Sequence, residues 1–350
     1  MTPPQVPRPL PLFLDLVREV AADDPELARR AMEGLRRYQA AERQAYTRPA
    51  RVVAQQGRVR LIDYGTPSGD DLTPVIFVPS VINPPIILDL AEGNSLLRFI
   101  AAHGFRPLLL DWGEPGPTEA DETLGDHVSQ YLVPLVETIA ERGCSPHIVG
   151  YCIGGTMALA AAHLGPVASL AMIASPWHFD HYGEDRAMLA GLWSDNAAMC
   201  RRLGLVPMEL LQVAFWRMDP ERTVRKYARV ADADTATLAQ FTVLEDWANE
   251  GAPLTWAAGR ELMEDLFAAN VTGSARWKVE GEVITPETVP CPARQFVSSS
   301  DRIVPAASCA AAIPQISAHS GHVGMVVGSS ARTALWEPLA NWLSQVQHNS

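Results

Sequence analysis

Residues 147–164, HIVGYCIGGTMALAAAHL, decide how this chain is read. The stretch opens with an apolar run at 147–149 and closes with a run of helical composition at 157–164. Between them, Gly150-Tyr151-Cys152-Ile153-Gly154, with Gly155 beside it, has the spacing of a nucleophile elbow, with cysteine where serine is usual. A sharp strand-to-helix turn needs small residues on both flanks so that the backbone can pack. It leaves the central side chain at a helix N-terminus, where the dipole favours a thiolate. The plainer alternative is a structural cysteine buried in a tight turn.

Short apolar runs without alternation lie at 147–151 itself and, working outward, at 75–78, 107–110 and 169–174. Such runs mark strands buried on both faces of a parallel sheet. Helical segments at 95–103, 127–142 and 153–164 lie between them, and this alternation predicts a doubly wound α/β fold. Earlier in the chain a helix is expected at 24–46, with Asp24 as cap and Pro25 in the first turn. A strand at 58–64 follows, closed by turn-rich residues 65–71. From about 180 to 282 the rhythm stops, and the chain reads as helical and rich in Trp and Met. It resumes with strands at 293–299 and 315–319. A final helix carries an apolar stripe of Leu335, Leu339, Trp342, Leu343 and Val346, with a kink expected at Pro338. The expected division is an N-terminal helical extension at 1–57, a sheet domain at 58–179 and 285–350, and a helical cap inserted at 180–284.

An elbow nucleophile needs an acid and a base that arrive later in that order. Ser298-Ser299-Ser300-Asp301 ends the 293–299 strand, where this kind of sheet places its working side chains. Ser320-Gly321-His322-Val323-Gly324 follows the last strand, and a histidine between glycines suits a base reaching across to another loop. Asp301 is thus the candidate acid and His322 the candidate base. Taken singly, Asp301 would read as a turn-former or helix cap, and His322 as a solvated loop histidine. His319 is the rival base, and His178 and His181, after the 169–174 strand, are candidates to line the same crevice. The oxyanion hole is expected to combine the N–H of Ile153 with one from the loop after the 75–78 strand, where Val81 is the candidate.

Composition narrows the function classes. The 350 residues carry 40 acidic and 28 basic side chains, a formal net charge of −12. That balance argues against non-specific nucleic-acid binding. With 47% hydrophobic residues and 19% charged, the chain has the makings of a large folded core. Only Lys226 and Lys278 are lysines. Five cysteines, at 144, 152, 200, 291 and 309, lack paired spacing, which argues against a disulfide framework and against a metal site. The opening MTPPQVPRPLPLFLDLV is a poor signal peptide, carrying Arg8 as its only side-chain cation and Asp15 in its short apolar run. Residues 145–179 hold no charged side chain but are broken by Gly165-Pro166 and three earlier glycines, so no membrane span is expected. A cytoplasmic location fits best.

The stretches VPSVINPPIILDL, DWGEPGPTEADETLGDHVSQYL, GYCIGGT, SSSDRIVP and SGHVGMVV, in that order, resemble the catalytic subunit of poly(3-hydroxyalkanoate) synthases. The likeness spans roughly residues 62–342 and is nearest in form to the short class III and class IV enzymes. Residues 195–270, with Glu245-Asp246-Trp247, resemble the family's cap. The chain departs from the family at Pro84 and Ile86, where a basic residue and a tyrosine are usual. The resemblance implies an α/β-hydrolase fold with Cys152 as nucleophile, Asp301 as acid and His322 as base. It implies (R)-3-hydroxyacyl-CoA as substrate and a growing polyester chain as product, with no cofactor beyond the CoA thioester itself. A second synthase subunit, a homo-oligomeric state and a place at the polyester granule surface are expected with it.

Cysteine suits this chemistry on its own terms. Attack on an acyl-CoA exchanges one thioester for another, so the acyl-enzyme keeps most of the free energy needed to acylate an alcohol. The 3-hydroxyl of the substrate supplies that alcohol, and His322 could activate it in turn. Growth then requires that water be excluded, a task for a closed apolar cap. The alternatives are a thioesterase, esterase or intracellular polyester depolymerase using the same three residues, or a silent granule-binding protein.

Overall fold

The computed structural model describes residues 5–43, 45–66 and 71–348. They fall into two compact units, one formed by Arg48–Val206 with Ala252–Ser350 and the other by Met1–Thr47 with Pro207–Gly251.

The larger unit is built on eight strands: β1 Val52–Gln56, β2 Val59–Asp63, β3 Pro74–Val78, β4 Arg106–Asp111, β5 His147–Tyr151, β6 Ser169–Ile173, β7 Ala293–Ser298 and β8 Gln315–Ala318. Their order across the sheet is β1-β2-β4-β3-β5-β6-β7-β8. β2 runs antiparallel to both neighbours, and from β4 to β8 every pairing is parallel. The runs that lack alternation are buried end to end, as in β3, β5 and β6. β1 was not expected: its residues are mostly exposed, so an edge strand here carries no apolar signal. The turn expected at 65–71 falls largely outside the described residues, as do the first four residues of the proline-rich opening.

This order places the working edge. The chain leaves β3 for β4 on one side and returns to β5 on the other, and the crevice at such a reversal lies beyond the C-terminal strand ends. The loops that follow β3, β5, β7 and β8 all emerge there. The helix Ile153–Leu164 matches its expected bounds and is almost wholly buried, its Gly and Ala residues allowing it to lie close to the sheet. The C-terminal helix buries Leu335, Leu339, Trp342 and Leu343. Pro338 lies inside a continuous helical run, directly after a π-helical stretch, Arg332–Trp336, in which the regular hydrogen-bond ladder is already interrupted.

The segment expected as one cap is divided differently. Residues 180–206 and 252–284 belong to the larger unit, while 207–251 form the smaller unit with the N-terminal helices Leu10–Asp23 and Pro25–Ala40. Long-range aromatic packing accounts for the regrouping. The Phe13 and Tyr227 rings lie 4.7 Å apart, Tyr38 meets Tyr227 edge-on at 5.9 Å, and Trp216 joins the same core. Gly34 lets the helices touch: a Cβ there would sit 1.9 Å from the Tyr227 carbonyl oxygen. The Glu245-Asp246 pair serves this packing. Buried Glu245 accepts from the Tyr227 hydroxyl and Lys226 Nζ, both at 2.7 Å, and Asp246 accepts from the Tyr38 hydroxyl at 2.6 Å. Among the described residues no helix is long and apolar enough to cross a membrane.

Candidate active site

Cys152 occupies the turn between β5 and the helix Ile153–Leu164. Its backbone stands at φ 57° and ψ −135°, a conformation that costs a non-glycine residue on the order of 1–3 kcal/mol. Neighbouring backbone holds it there. The Cys152 N–H donates to the Ile173 carbonyl at 2.9 Å, and the Cys152 carbonyl accepts from Gly155 N–H at 2.9 Å. The flanking glycines are demanded by space. A Cβ on Gly154 would lie 2.4 Å from the carbonyl oxygens of Val78 and Pro79, and one on Gly155 would lie 1.8 Å from Ser175 Oγ. The helix therefore starts hard against the end of β3 and the segment after β6.

Asp301 follows β7 and His322 follows β8. Ser298, the last residue of β7, ties the two loops together: its hydroxyl donates to the Ser320 carbonyl and accepts the Ser320 N–H at 3.2 Å. Asp301 Oδ2 then meets His322 Nδ1 at 2.7 Å, with both side chains buried. Asp301 Oδ1 accepts from the N–H groups of Ile303 and Val304 at 2.8 and 2.9 Å. A carboxylate only accepts, so His322 Nδ1 carries a hydrogen and Nε2 is the nitrogen left for Cys152, whose charge acts on the imidazole. Burial alone would disfavour the imidazolium. The charges of Asp301 and Cys152, and the hydrogen bond to Asp301, outweigh it and raise the His322 pKa to about 10.

Tyr151, which the sequence reading passed over, packs on the base. Its ring stacks on the His322 imidazole at 5.1 Å between centroids and 25° between planes, and its hydroxyl donates to the His322 carbonyl at 3.4 Å. Burial keeps that phenol neutral by pushing its pKa well above the ordinary range. The available signal was an aromatic at the variable position just before the elbow cysteine.

His319 is exposed and its Nδ1 pairs with Ser299 Oγ at 2.9 Å. The His178 and His181 rings meet each other edge-on at 6.1 Å. The His178 backbone N–H donates to the Ser308 carbonyl while its ring lies against Gly273, so this pair borders the 301–309 loop without joining the Asp301–His322 pair. Ile153 is the first residue of the elbow helix, and its N–H is among the donors a helix start leaves without an internal partner. Val81 lies in the loop after β3, beside a cavity of about 20 Å³ shared with Arg58, Trp112, His127 and Leu254. Among the described residues no group of three or more His, Cys, Asp or Glu side chains is arranged to hold a metal ion. All five cysteines are free thiols.

No family model matches the chain. It is 28% identical over 318 residues to the poly(3-hydroxyalkanoate) polymerase subunit PhaC of Haloferax mediterranei, covering 85% of this chain and 64% of that protein. It thus spans slightly less than two thirds of that relative. The subunit of the same name from Thiocystis violacea is 26% identical over 317 residues, covering 85% of this chain and 88% of its own. Among solved structures, MenH from S. aureus superposes with a TM-score of 0.52 at 11% identity, over 82% of this chain and 98% of that one. A putative non-heme bromoperoxidase, BpoC from Mycobacterium tuberculosis, gives 0.50 at 17% identity, over 86% and 99%. At such identities the structures speak to the fold alone. The chain has the α/β-hydrolase fold, and its resemblance to the poly(3-hydroxyalkanoate) synthase catalytic subunits extends over 85% of its length.

Proposed function

We propose that this chain is an acyltransferase that takes the acyl group of an (R)-3-hydroxyacyl-CoA onto Cys152 and passes it to a hydroxyl, extending a polyester. The observation that carries this reading is the buried Asp301–His322 pair placed beside a cysteine elbow. The polymerase subunits with which the chain shares 85% of its length support the choice of substrate.

In the first half-reaction His322 Nε2 holds the proton given up by Cys152, and the sulfur attacks the thioester carbonyl. Charge gathers on the carbonyl oxygen, where the N–H groups of Ile153 and Val81 are the proposed donors. The bond to CoA sulfur breaks, and CoA takes the proton back from His322. In the second half-reaction a 3-hydroxyl gives its proton to Nε2 and attacks the Cys152 thioester; an ester forms and Cys152 is released. Asp301 keeps the imidazole in one orientation through both halves and stabilises its charged form. These side chains suffice for both steps, so no cofactor enters the reading. Cys152 at 9% exposure and His322 at 6% leave little room for a competing water. A second synthase subunit, a homo-oligomeric state and a granule-surface location belong to the same proposal.

The test is to incubate the protein with 3-hydroxybutyryl-CoA, with and without candidate partner subunits, and to quantify CoA and free 3-hydroxybutyrate together. CoA release without matching free acid, and ester-linked oligomers by mass spectrometry, is the expected result. Stoichiometric free acid in every condition would make the chain a hydrolase.

A further inference from the structure

We infer that Trp112 is a positioning residue for the oxyanion loop, fixing the backbone between Pro79 and Ile82 so that the Val81 N–H is held toward the elbow. The inference rests on the proposed roles of Cys152 and Val81.

The Pro79 carbonyl is pinned from two sides. The buried Trp112 indole Nε1 donates to it at 3.1 Å, and the start of the elbow helix presses on it at Gly154, where a Cβ would be 2.4 Å away. A peptide unit is planar, so fixing that carbonyl fixes the Ser80 N–H on its opposite side. Two residues on, the Ile82 N–H donates to Ser80 Oγ at 3.2 Å. The Val81 amide lies between these two fixed points.

Trp112 is itself braced. Its ring meets His127 edge-on at 5.7 Å. His127 Nδ1 lies 2.7 Å from the Thr123 carbonyl, and Nε2 lies 2.9 Å from an Arg58 guanidinium nitrogen. A carbonyl can only accept and a guanidinium can only donate, so His127 is neutral with its hydrogen on Nδ1. Burial lowers its pKa in the same sense. Arg58 is anchored by Glu119 at 2.6 Å, Glu122 at 2.8 Å and the Tyr131 hydroxyl at 3.0 Å. A phenylalanine at 112 would keep the contact with His127 and lose the bond to Pro79. The indole N–H is what the site uses.

The experiment compares two reactions of Cys152 in Trp112→Phe. Alkylation by iodoacetamide needs the activated sulfur but forms no oxyanion. Acylation by p-nitrophenyl butyrate, read as phenolate release, needs both. We expect alkylation within about twofold of the wild-type rate and acylation kcat reduced about tenfold or more, with KM nearly unchanged. Removing one oxyanion donor outright costs about a hundredfold or more. Replacing the indole by its benzothienyl isostere, which removes only the N–H, should give the same split even if the Phe variant folds poorly. Wild-type acylation, or an equal fall in both reactions, would overturn the inference. A wild-type protein whose acylation does not depend on Cys152 would overturn the proposed function and this inference with it.

Discussion

Asp301 assigns its two carboxylate oxygens to different partners: Oδ2 meets His322 Nδ1 at 2.7 Å, while Oδ1 is held by the backbone N–H groups of Ile303 and Val304. The carboxylate therefore cannot rotate, and its outward oxygen sets the histidine's hydrogen on Nδ1. In Asp301→Asn the amide oxygen would stay on the two backbone donors and the NH₂ would face His322. The imidazole would then carry its hydrogen on Nε2 and could not accept the Cys152 proton. Single-turnover CoA release should fall about 10³–10⁴-fold with the fold intact by circular dichroism. A loss under tenfold would refute this geometry as the source of the tautomer.

The two histidines near the end of the sheet should separate cleanly. His319→Gln alters an exposed side chain bonded to Ser299, and acylation should stay within about twofold, as for surface changes generally. His322→Gln removes the base and should abolish it, as should Cys152→Ala. Equal losses at 319 and 322, measured by the same CoA assay, would return the assignment of the base to the beginning.

Crowding at the elbow gives a stability test. Gly155→Ala would force a Cβ to 1.8 Å from Ser175 Oγ, and urea denaturation should show a loss of about 1–3 kcal/mol or more. Adding Ser175→Gly should restore much of it, because the obstacle is a side chain. Gly154→Ala should admit no such rescue, since its obstacles are the Val78 and Pro79 carbonyls.

Stability should fall on both sides of neutrality for different reasons. His147 is buried, its Nδ1 paired with Ser169 Oγ at 2.8 Å, and burial lowers its pKa to about 4. Its contribution is present above its unfolded value near 6.5 and is lost as pH falls through 4, by roughly 3 kcal/mol over that span. His322 has its pKa raised to about 10, so its contribution is complete below about 6.5 and is lost as pH rises through 10. Urea midpoints followed from pH 3.5 to 10.5 should show both limbs. His147→Leu should flatten the acid limb and leave the alkaline one; an unchanged acid slope would contradict the assignment.

Thiol reactivity should single out the elbow. Burial pushes Cys291 up to about 11 and Cys309 up to about 12, the latter with help from Asp301, and raises Cys200 as well. With exposed Cys144 changed to Ser, iodoacetamide at neutral pH should mark Cys152 first, as read by peptide mass spectrometry. Labelling spread over the buried cysteines would argue against an activated nucleophile.

What was legible in the sequence was whatever depends on near neighbours. β5 and the helix Ile153–Leu164 fall at their expected bounds, because an apolar run, a glycine cluster and a helix lie side by side in the chain. Asp301 and His322 were found by order along the chain, and the structure brings them together at 2.7 Å. Features that depend on distant packing left no local mark. The grouping of 207–251 with the N-terminal helices turns on Phe13, Tyr38 and Tyr227 meeting across most of two hundred residues. The Tyr151–His322 stack joins a strand end to a loop, and β1 is an edge strand whose exposed faces erase the alternation that would reveal it.

The sheet order also bears on how the protein is made. Cys152 leaves the ribosome well before β7 and β8 exist, and at ordinary elongation rates roughly ten to thirty seconds pass before His322 is added. During that interval the thiol lacks its base, and the two strands that position that base have yet to form. A half-synthesised chain should therefore be chemically quiet toward cellular thioesters, and acyl transfer should begin only after His322 has been added and β8 has joined the sheet.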